Sequence, residues 1–361
     1  MRNRSVTFAD LIDQKTWTDY GDFVREANEI LEAEVKAHIQ EEKELIAQLK
    51  AHPTFKKLKI KSVKDKLPKA EALLLKGDVV GVDGTRSDYR LLSGLRCQIG
   101  VVAVNYVGEK IRHSFFISEA SLKLETEDII EKISGRARHE ENLSDMAIRG
   151  LMLYREREAG LDPRFKDKYI MFHGPLLPFE LMSGLGRLRA LDTTLDVLRR
   201  IIREKRFFSV ISSTSFQDFL TFGRAIEPFQ YFTIAEYTLG HYLQNTSNFM
   251  KWKEKWRADE RKKIEEFLRD HAEKILIGVI RIGERPYVFH AHEEIFDLAA
   301  AIIARDALFQ KEKGFPLLID YADTLCSQYF SSGDFKRMME WELSRTGQYL
   351  SEAPERDLRL K

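Results

Sequence analysis

The feature that most constrains this chain is a short apolar run that ends in a carboxylate and a glycine. Residues 79–82 are β-branched or small, Asp83 follows them, and Gly84 allows the backbone to turn sharply. Such a run predicts a buried central strand over 79–83, bounded by a turn. A buried carboxylate costs free energy unless a partner offsets that cost. Asp83 is therefore either the cap of its own turn or a ligand for a cation, and both interpretations stay open at this point.

Length and composition limit the class of protein. The 361 residues suffice for one large domain or two modest ones. The 58 basic and 57 acidic residues nearly cancel, so any nucleic-acid binding needs a local basic patch. Cys97 and Cys326 lie far apart and outside any CxxC pattern, which argues against a structural zinc and fits a reducing compartment. Without a membrane-length apolar run or a signal-peptide pattern, we expect a cytoplasmic protein with no membrane partner.

The order of the predicted elements favours a mixed α/β sheet. Strands are predicted at 79–83, 96–106, 110–117, 169–172, 207–211, 275–282 and 287–290. Helices are predicted at about 17–50, 126–133, 143–158, 179–205, 257–273, 295–312, 316–329 and 335–350, and the aromatic-rich segment 216–258 is predicted to be mostly helical. A three-stranded meander followed by helix–strand–helix–strand is the order of a ribonuclease H-like fold. We therefore expect such a mixed sheet with flanking helices and helical insertions.

Acidic residues and one histidine follow the predicted strands and helices. Asp83 ends the first strand, Glu156 and Glu158 lie late on the helix over 143–158, and His173 ends the next strand. Because the strand order brings these ends to one edge of a sheet, the side chains are expected to share a site. Carboxylate oxygens suit Mg²⁺ and Mn²⁺, and Mn²⁺ also accepts imidazole. Two such ions can activate water and stabilise the leaving oxygen in phosphodiester hydrolysis.

Three motifs, taken in order, resemble those of one family. Residues 81–86 (GVDGTR) look like its V-D-G-S/T-R opening, residues 173–176 (HGPL) like its D-G-P-L strand end, and residues 314–323 (GFPLLIDYAD) like its closing G-Y-P…L…A-H helix. On these motifs the chain resembles the NurA nucleases. The resemblance implies a manganese-dependent, ribonuclease H-like DNA nuclease that works as a homodimer on the hexameric ATP-driven translocase HerA. Its expected setting is DNA end resection or antiviral defence.

The extent of the resemblance also suggests a domain organisation. It covers about residues 70–330, which we expect to form a NurA-like nuclease domain. Residues 1–69 are then an N-terminal helical region, and residues 331–361 are a C-terminal helix and tail.

Two departures from the family motifs affect the expected metal site. His173 stands where the family has an aspartate, and Asp323 stands where it has a histidine. One interpretation is an exchange that retains the ligand set, with Asp83, Glu156 or Glu158, His173 and Asp323 holding Mn²⁺ or Mg²⁺. The other is a degenerate site in an adaptor that binds DNA and the translocase without cleavage.

DNA contacts are predicted in two places. Ser212 and Ser213 stand where the family usually has a tyrosine and a lysine, so they would donate neutral hydrogen bonds to a phosphate, and Arg86 could supply the missing positive charge. The second place is a lysine-rich segment, which is either a solvated face or a phosphate-binding patch. Its candidate residues are Lys56, Lys57, Lys59 and Lys61.

Two further sequence patterns involve histidines and an apolar stripe. His290 and His292 form a His-x-His pattern without a third ligand, which favours surface histidines over a metal site. The N-terminal helix has an apolar stripe through Ile30, Leu31, Val35 and Ile39. That stripe would be buried either in a dimer or translocase contact or against its own domain, and both remain open.

Overall fold

The computed structural model describes residues 20–91, 94–118, 143–212 and 217–347. The chain forms two compact units, Met1–Lys57 and Leu58–Lys361. In the described part of the first unit, the long helix α1 (Tyr20–Ala51) is followed by the short helix α2 (Pro53–Lys56). The expected domain boundaries after residues 69 and 330 stay predictions.

The second unit is built on one mixed sheet. Its nine described strands lie in the order β1-β7-β8-β9-β6-β5-β2-β3-β4. They are β1 (Lys59–Ser62), β2 (Val79–Leu91), β3 (Gly94–Val104), β4 (Lys110–Ser118), β5 (Tyr169–His173), β6 (Phe207–Ile211), β7 (Gln230–Thr238), β8 (Ile275–Arg281) and β9 (Pro286–His292). The pairs β2–β5 and β5–β6 are parallel, and every other pair in this sheet is antiparallel.

Helices flank this sheet. They are α3 (Leu67–Leu75), α4 (Leu143–Gly160), α5 (Phe179–Met182), α6 (Leu191–Glu204), α7 (Gln217–Ala225), α8 (Leu239–Gln244), α9 (Ser247–Lys253), α10 (Ala258–Asp270), α11 (Phe296–Ala307), α12 (Leu317–Tyr329) and α13 (Ser332–Arg345). The predicted mixed α/β sheet with flanking helices is confirmed, and its assignment as ribonuclease H-like stays a prediction. Within the described ranges, no helix combines the length and apolarity needed to cross a bilayer.

Helices α12 and α4 pack on opposite faces of β2. A Cβ added at Gly81 would lie 2.7 Å from the Leu318 backbone oxygen of α12, and one added at Gly84 would lie 2.5 Å from Glu156 Oε1 of α4. Positions 81 and 84 face opposite sides because side chains alternate along a strand. Glycine at both positions therefore lets the two helices approach the strand closely.

The strand that carries Asp83 is longer than expected. The prediction ended it at residue 83, but β2 continues to Leu91 because its antiparallel partner β3 pairs with it from Gly81 to Leu91. The parallel pairing with β5 covers only Val79–Val82. Gly84 is thus a close-packing position within a strand, and the predicted sharp turn there is wrong.

Two other predicted elements differ from the structure. The helix predicted over 179–205 is interrupted between α5 and α6, because Gly184, Leu185 and Gly186 have left-handed backbone angles (φ 66°, 61° and 62°) that a right-handed helix excludes. The segment 216–258 contains the strand β7 between its helices, since its aromatic residues pack within the sheet. The helix predicted over 126–133 lies outside the described residues.

Candidate active site

Asp83 and His173 lie side by side where β2 and β5 separate. The last parallel pair is Val82 with Phe172, so Asp83 and His173 are the next residues on the two strands. Asp83 Oδ1 lies 3.3 Å from His173 Nδ1 and accepts a hydrogen bond from the Gly84 backbone N–H at 2.9 Å. The Asp83 carboxylate is buried, with 6% of the residue exposed. Both open interpretations of Asp83 thus have a structural basis, since it bonds its own backbone and faces a second ionisable group.

The second ring nitrogen of His173 faces Ser212. Ser212 follows β6, the parallel neighbour of β5, so both residues reach the same edge of the sheet. Ser212 Oγ lies 2.8 Å from His173 Nε2. A proton on Nδ1 satisfies both contacts, because Nδ1 then donates to Asp83 and Nε2 accepts from Ser212. Ser213, the other serine predicted to contact DNA, lies outside the described residues.

Burial and nearby charges act in opposite directions on His173. Burial disfavours its charged form, but the carboxylates of Asp83, Glu156 and Asp323 outweigh this effect and raise the pKa of the imidazole above its usual value. The ring also packs edge-on against Phe315, with centroids 5.7 Å apart. Phe315 precedes α12, so this helix is anchored beside the histidine.

Glu156 approaches the cluster from α4, on the other face of β2. Only 2% of the residue is exposed, and its Oε2 accepts a hydrogen bond from Arg157 Nη1 at 2.5 Å. Burial raises the pKa of Glu156 to about 7; the Arg157 guanidinium opposes this rise and the charge of Asp83 adds to it. Glu158 lies elsewhere, because its carboxylate pairs with Arg155 at the surface of α4. Of the two candidate glutamates, the fold brings Glu156 to Asp83.

Arg157 is a buried residue beside Glu156 that the sequence motifs did not indicate. Its side chain is fully buried, donates from Nη2 to the Pro175 carbonyl at 2.5 Å, and stacks on the Phe172 ring at 4.5 Å. The guanidinium therefore fixes the loop after β5 as well as Glu156. Leu153, Glu156, Arg157 and Gly160 all face inward at helical spacing. That stripe was a signal for both Arg157 and Glu156.

Asp323 completes the cluster from α12. Burial raises the pKa of its carboxyl group and the charge of Asp83 raises it further, while His173 lowers it. One turn later on the same helix, Cys326 Sγ lies 3.4 Å from the Asp83 carbonyl oxygen. Asp83, Glu156, His173 and Asp323, which we call the acidic cluster, are thus electrostatically coupled at one edge of the sheet.

The acidic cluster has the types of ligand atom that a divalent-cation site needs, but its side chains are not arranged around a common point. Three carboxylates and an imidazole suit Mn²⁺ or Mg²⁺. Among the described residues, however, no group of three or more His, Cys, Asp or Glu side chains is arranged to hold a metal ion. Glu156 is bonded to Arg157, and His173 is bonded to Asp83 and Ser212. Ion binding by this set requires some of these bonds to be exchanged.

Three of the basic residues predicted to contact DNA are paired or lie on a distant strand of the sheet. Arg86 pairs with Asp88 and Asp145, and Lys61 pairs with Asp297. Lys59 and Lys61 belong to β1, five strands away from β5, which corresponds to about 24 Å at the usual strand spacing. Lys56 and Lys57 belong to the first unit. The structure therefore does not bring Lys59 and Lys61 to the acidic cluster.

The prediction of surface histidines at 290 and 292 is wrong. Both residues are buried, with 1% and 2% exposed, because β9 pairs on both sides with β8 and β6. Burial lowers the pKa of His290 to about 3, so its ring is neutral. His292 Nδ1 accepts a hydrogen bond from the Glu294 backbone N–H at 3.2 Å and caps the following turn. Both histidines belong to the scaffold.

Comparison with known proteins identifies structural neighbours. No protein-family model and no curated protein matches the chain. The fold is similar to that of the NurA nuclease from Sulfolobus solfataricus, at 11% identity and a TM-score of 0.46 over 81% of this chain and 97% of that one. A NurA structure with manganese matches at 13% identity and a TM-score of 0.42, over 68% and 84% of the two chains. A NurA structure bound to dAMP and manganese matches at 12% and 0.40, over 72% and 90%. The expected similarity to NurA nucleases is confirmed at the level of fold.

Proposed function

We propose that this chain is a metal-dependent DNA nuclease that hydrolyses phosphodiester bonds at the acidic cluster. One observation carries the proposal: Asp83, Glu156, His173 and Asp323, from four separate elements, converge at the edge where β2 leaves β5. Three carboxylates in a partly buried site repel one another, and the cost of this repulsion falls when a cation is present. A cluster of this composition at strand ends therefore supports cation binding.

The proposed ligands are Asp83 at the centre, with Glu156, His173 and Asp323 around it. When bound, Mn²⁺ or Mg²⁺ would activate water and stabilise the leaving oxygen. In the more detailed proposal, two ions share these tasks. The chain's own residues position this chemistry. Arg157 orients Glu156 and fixes the loop after His173, and it offsets part of the buried negative charge. Ser212, at the exposed rim, can donate a hydrogen bond to a substrate phosphate.

The wider setting is part of the same proposal. The motifs at 81–86, 173–176 and 314–323 support a homodimer that works with a HerA-type ATP-driven translocase on DNA, in end processing or antiviral defence. Co-purification of the full chain with such a translocase tests the partnership. Failure to form a complex in the presence of DNA and ATP would remove the partnership and leave the nuclease proposal intact.

A second candidate function is a non-catalytic adaptor. It is favoured because two potential ligands already make hydrogen bonds within the protein. Glu156 is bonded to Arg157, and His173 lies between Asp83 and Ser212. If these bonds persist in the presence of Mn²⁺, the site cannot gather three ligands around an ion. The protein would then keep the fold for binding alone.

Cleavage of end-labelled single-stranded and duplex DNA separates the two functions. The nuclease predicts cleavage with Mn²⁺ or Mg²⁺, none with excess EDTA, and a loss of at least about 100-fold in Asp83→Asn, as expected when a residue central to catalysis is neutralised. Asp192→Asn is the matched control, because Asp192 is exposed on α6 and pairs only with Lys263 among its described contacts. Equal cleavage by the Asp83 and Asp192 variants, or none under any condition, would reject catalysis at this cluster.

A further inference from the structure

Two members of the acidic cluster, Asp83 and His173, form a hydrogen-bonded relay with Ser212. Asp83 Oδ1 is 3.3 Å from His173 Nδ1, and His173 Nε2 is 2.8 Å from Ser212 Oγ. A carboxylate on one ring nitrogen and a hydroxyl on the other is the arrangement by which an imidazole is oriented to take a proton from serine. The relay uses three side chains from three adjacent parallel strands or their ends.

Burial decreases along the relay from Asp83 to Ser212, as is required for a serine that reacts with a substrate from solvent. Asp83 is 6% exposed, His173 is of intermediate burial, and Ser212 is exposed. The carboxylate is therefore shielded from water while the hydroxyl faces the solvent. Ser212 lies just beyond the carboxyl end of β6, at the edge of the sheet where ligands of α/β proteins commonly bind.

We propose that Ser212 is a nucleophile activated by His173 and Asp83, and that the metal-free protein transfers acyl groups from uncharged carboxylic esters. The charge of the site selects this substrate class. Without a cation, the Asp83 carboxylate beside His173 repels an anionic phosphodiester, whereas a neutral ester meets no such repulsion. This activity goes beyond the proposed nuclease, because it uses Asp83 and His173 without an ion.

The proposed reaction is balanced by groups already present. Ser212 Oγ attacks the ester carbonyl carbon, and its proton moves to His173 Nε2. The carbon–oxygen bond to the alcohol breaks, and the alcohol leaves with the proton from the imidazolium. Water then attacks the acyl-serine with His173 as base, which releases the acid and restores the hydroxyl. The net change is ester plus water to acid plus alcohol, and it involves no oxidant or reductant.

A fluorophosphonate probe tests the nucleophile directly. The probe is uncharged and forms a serine–phosphorus bond with loss of fluoride, so the adduct can be located by mass spectrometry. With the full chain in excess EDTA, labelling is expected at Ser212. Ser212→Ala should remove it, and His173→Gln should slow it by about 100-fold or more, the usual contribution of a general base. Hydrolysis of p-nitrophenyl acetate should likewise be lost in Ser212→Ala and slowed in His173→Gln.

Ser344→Ala is the matched control, because Ser344 is exposed on α13 and its hydroxyl donates to the Trp341 carbonyl of its own helix. It should label like the unaltered chain, and circular dichroism melting checks that each variant is folded. The inference is overturned if Ser212 is labelled no faster than other serines, or if His173→Gln labels at the full rate. DNA cleavage without Ser212 labelling would overturn this inference alone, and labelling without cleavage would overturn the nuclease alone.

Discussion

At the scale of single residues, the acidic cluster is defined by which charges are buried together. Glu156 and Arg157 are both almost fully inaccessible, and removing one partner of such a pair leaves an uncompensated charge. Asp83 adjoins this pair and links it to His173. Substitutions that keep the shape of a side chain and remove its charge are therefore the most informative variants.

Two glutamates on the same helix offer a matched test of the ligand assignment. Glu156→Gln is expected to weaken Mn²⁺ binding by about 10-fold or more, the scale of effect seen when groups at a metal site are altered. Glu158→Gln should bind Mn²⁺ as the unaltered chain does, because Glu158 pairs with Arg155 at the surface. Isothermal titration calorimetry measures both affinities. An equal loss in the two variants would contradict the assignment.

The raised pKa of Glu156 predicts a pH dependence of stability in the metal-free protein. A carboxyl whose pKa rises from its ordinary 4.5 to about 7 on folding binds more protons in the folded state between these values. Its contribution to stability is therefore greatest below about pH 4.5 and is lost as pH rises through about 7. A pKa rise of this size lowers the free energy of unfolding by about 3 kcal/mol between pH values well below 4.5 and well above 7.

Urea unfolding at pH 5 and pH 8 in EDTA measures this contribution. Between the two values, the unaltered chain should lose more stability than Glu156→Gln, whose side chain does not titrate. The difference between the two proteins isolates Glu156 from the other titrating groups. Parallel changes in the two proteins would show that Glu156 is ionised throughout this range.

At the scale of elements, sequence patterns predicted those whose signal is local. The strands at β5, β6, β8 and β9 and helix α4 carry compact apolar runs or clear helical periodicity, and they form as expected. The length of β2 was not predictable from its own residues, because its second half is held by pairing with β3. Strand β7 was missed because its aromatic spacing also fits a helix.

The candidate site was likewise predictable only where its sequence signal is local. The proximity of Asp83 and His173 was predictable from the sequence, because neighbouring parallel strands bring their ends to one edge of the sheet. The contact of Ser212 with His173 and the bonds of Arg157 to Glu156 and Pro175 depend on side-chain packing between distant elements. Such contacts leave no periodic trace in a single sequence. The lysines of β1 looked relevant only because sequence does not show the sheet order.

The close packing of α4 on β2 gives a prediction at this scale. A Cβ in Gly84→Ala would lie 2.5 Å from Glu156 Oε1, so the glutamate must move. Mn²⁺ affinity and DNA cleavage should both fall by about 10-fold or more. Gly333→Ala is the control, since its added Cβ meets only Ser331 Oγ, at 3.6 Å. Full activity in Gly84→Ala would show that the position of Glu156 is unimportant.

At the scale of the whole molecule, helix α1 has an exposed apolar stripe that needs explanation. Leu31 and Val35 are 57% and 55% exposed in the single chain. Burying such a stripe is what stabilises most amphipathic helices. We therefore expect a homodimer in which α1 takes part, which is one of the contacts that the N-terminal stripe left open.

Light scattering on the full chain tests the dimer. Leu31→Glu combined with Val35→Glu should shift the mass from about 84 kDa, twice the 42.1 kDa of one chain, to that of a monomer. Lys36→Glu, on a charged position of the same helix, is the control and should leave the dimer unchanged. A dimer that survives the double substitution would remove α1 from the interface.

The proposed nuclease requires the acidic cluster to bind a divalent cation. An anomalous difference map from crystals of the full chain soaked in manganese chloride tests it most directly. We expect a manganese peak in contact with the Asp83 carboxylate, with Glu156 released from Arg157 or His173 released from Ser212 to complete the ligands. The contradicting result is a fully soaked crystal with no peak at Asp83 and with both of those bonds intact.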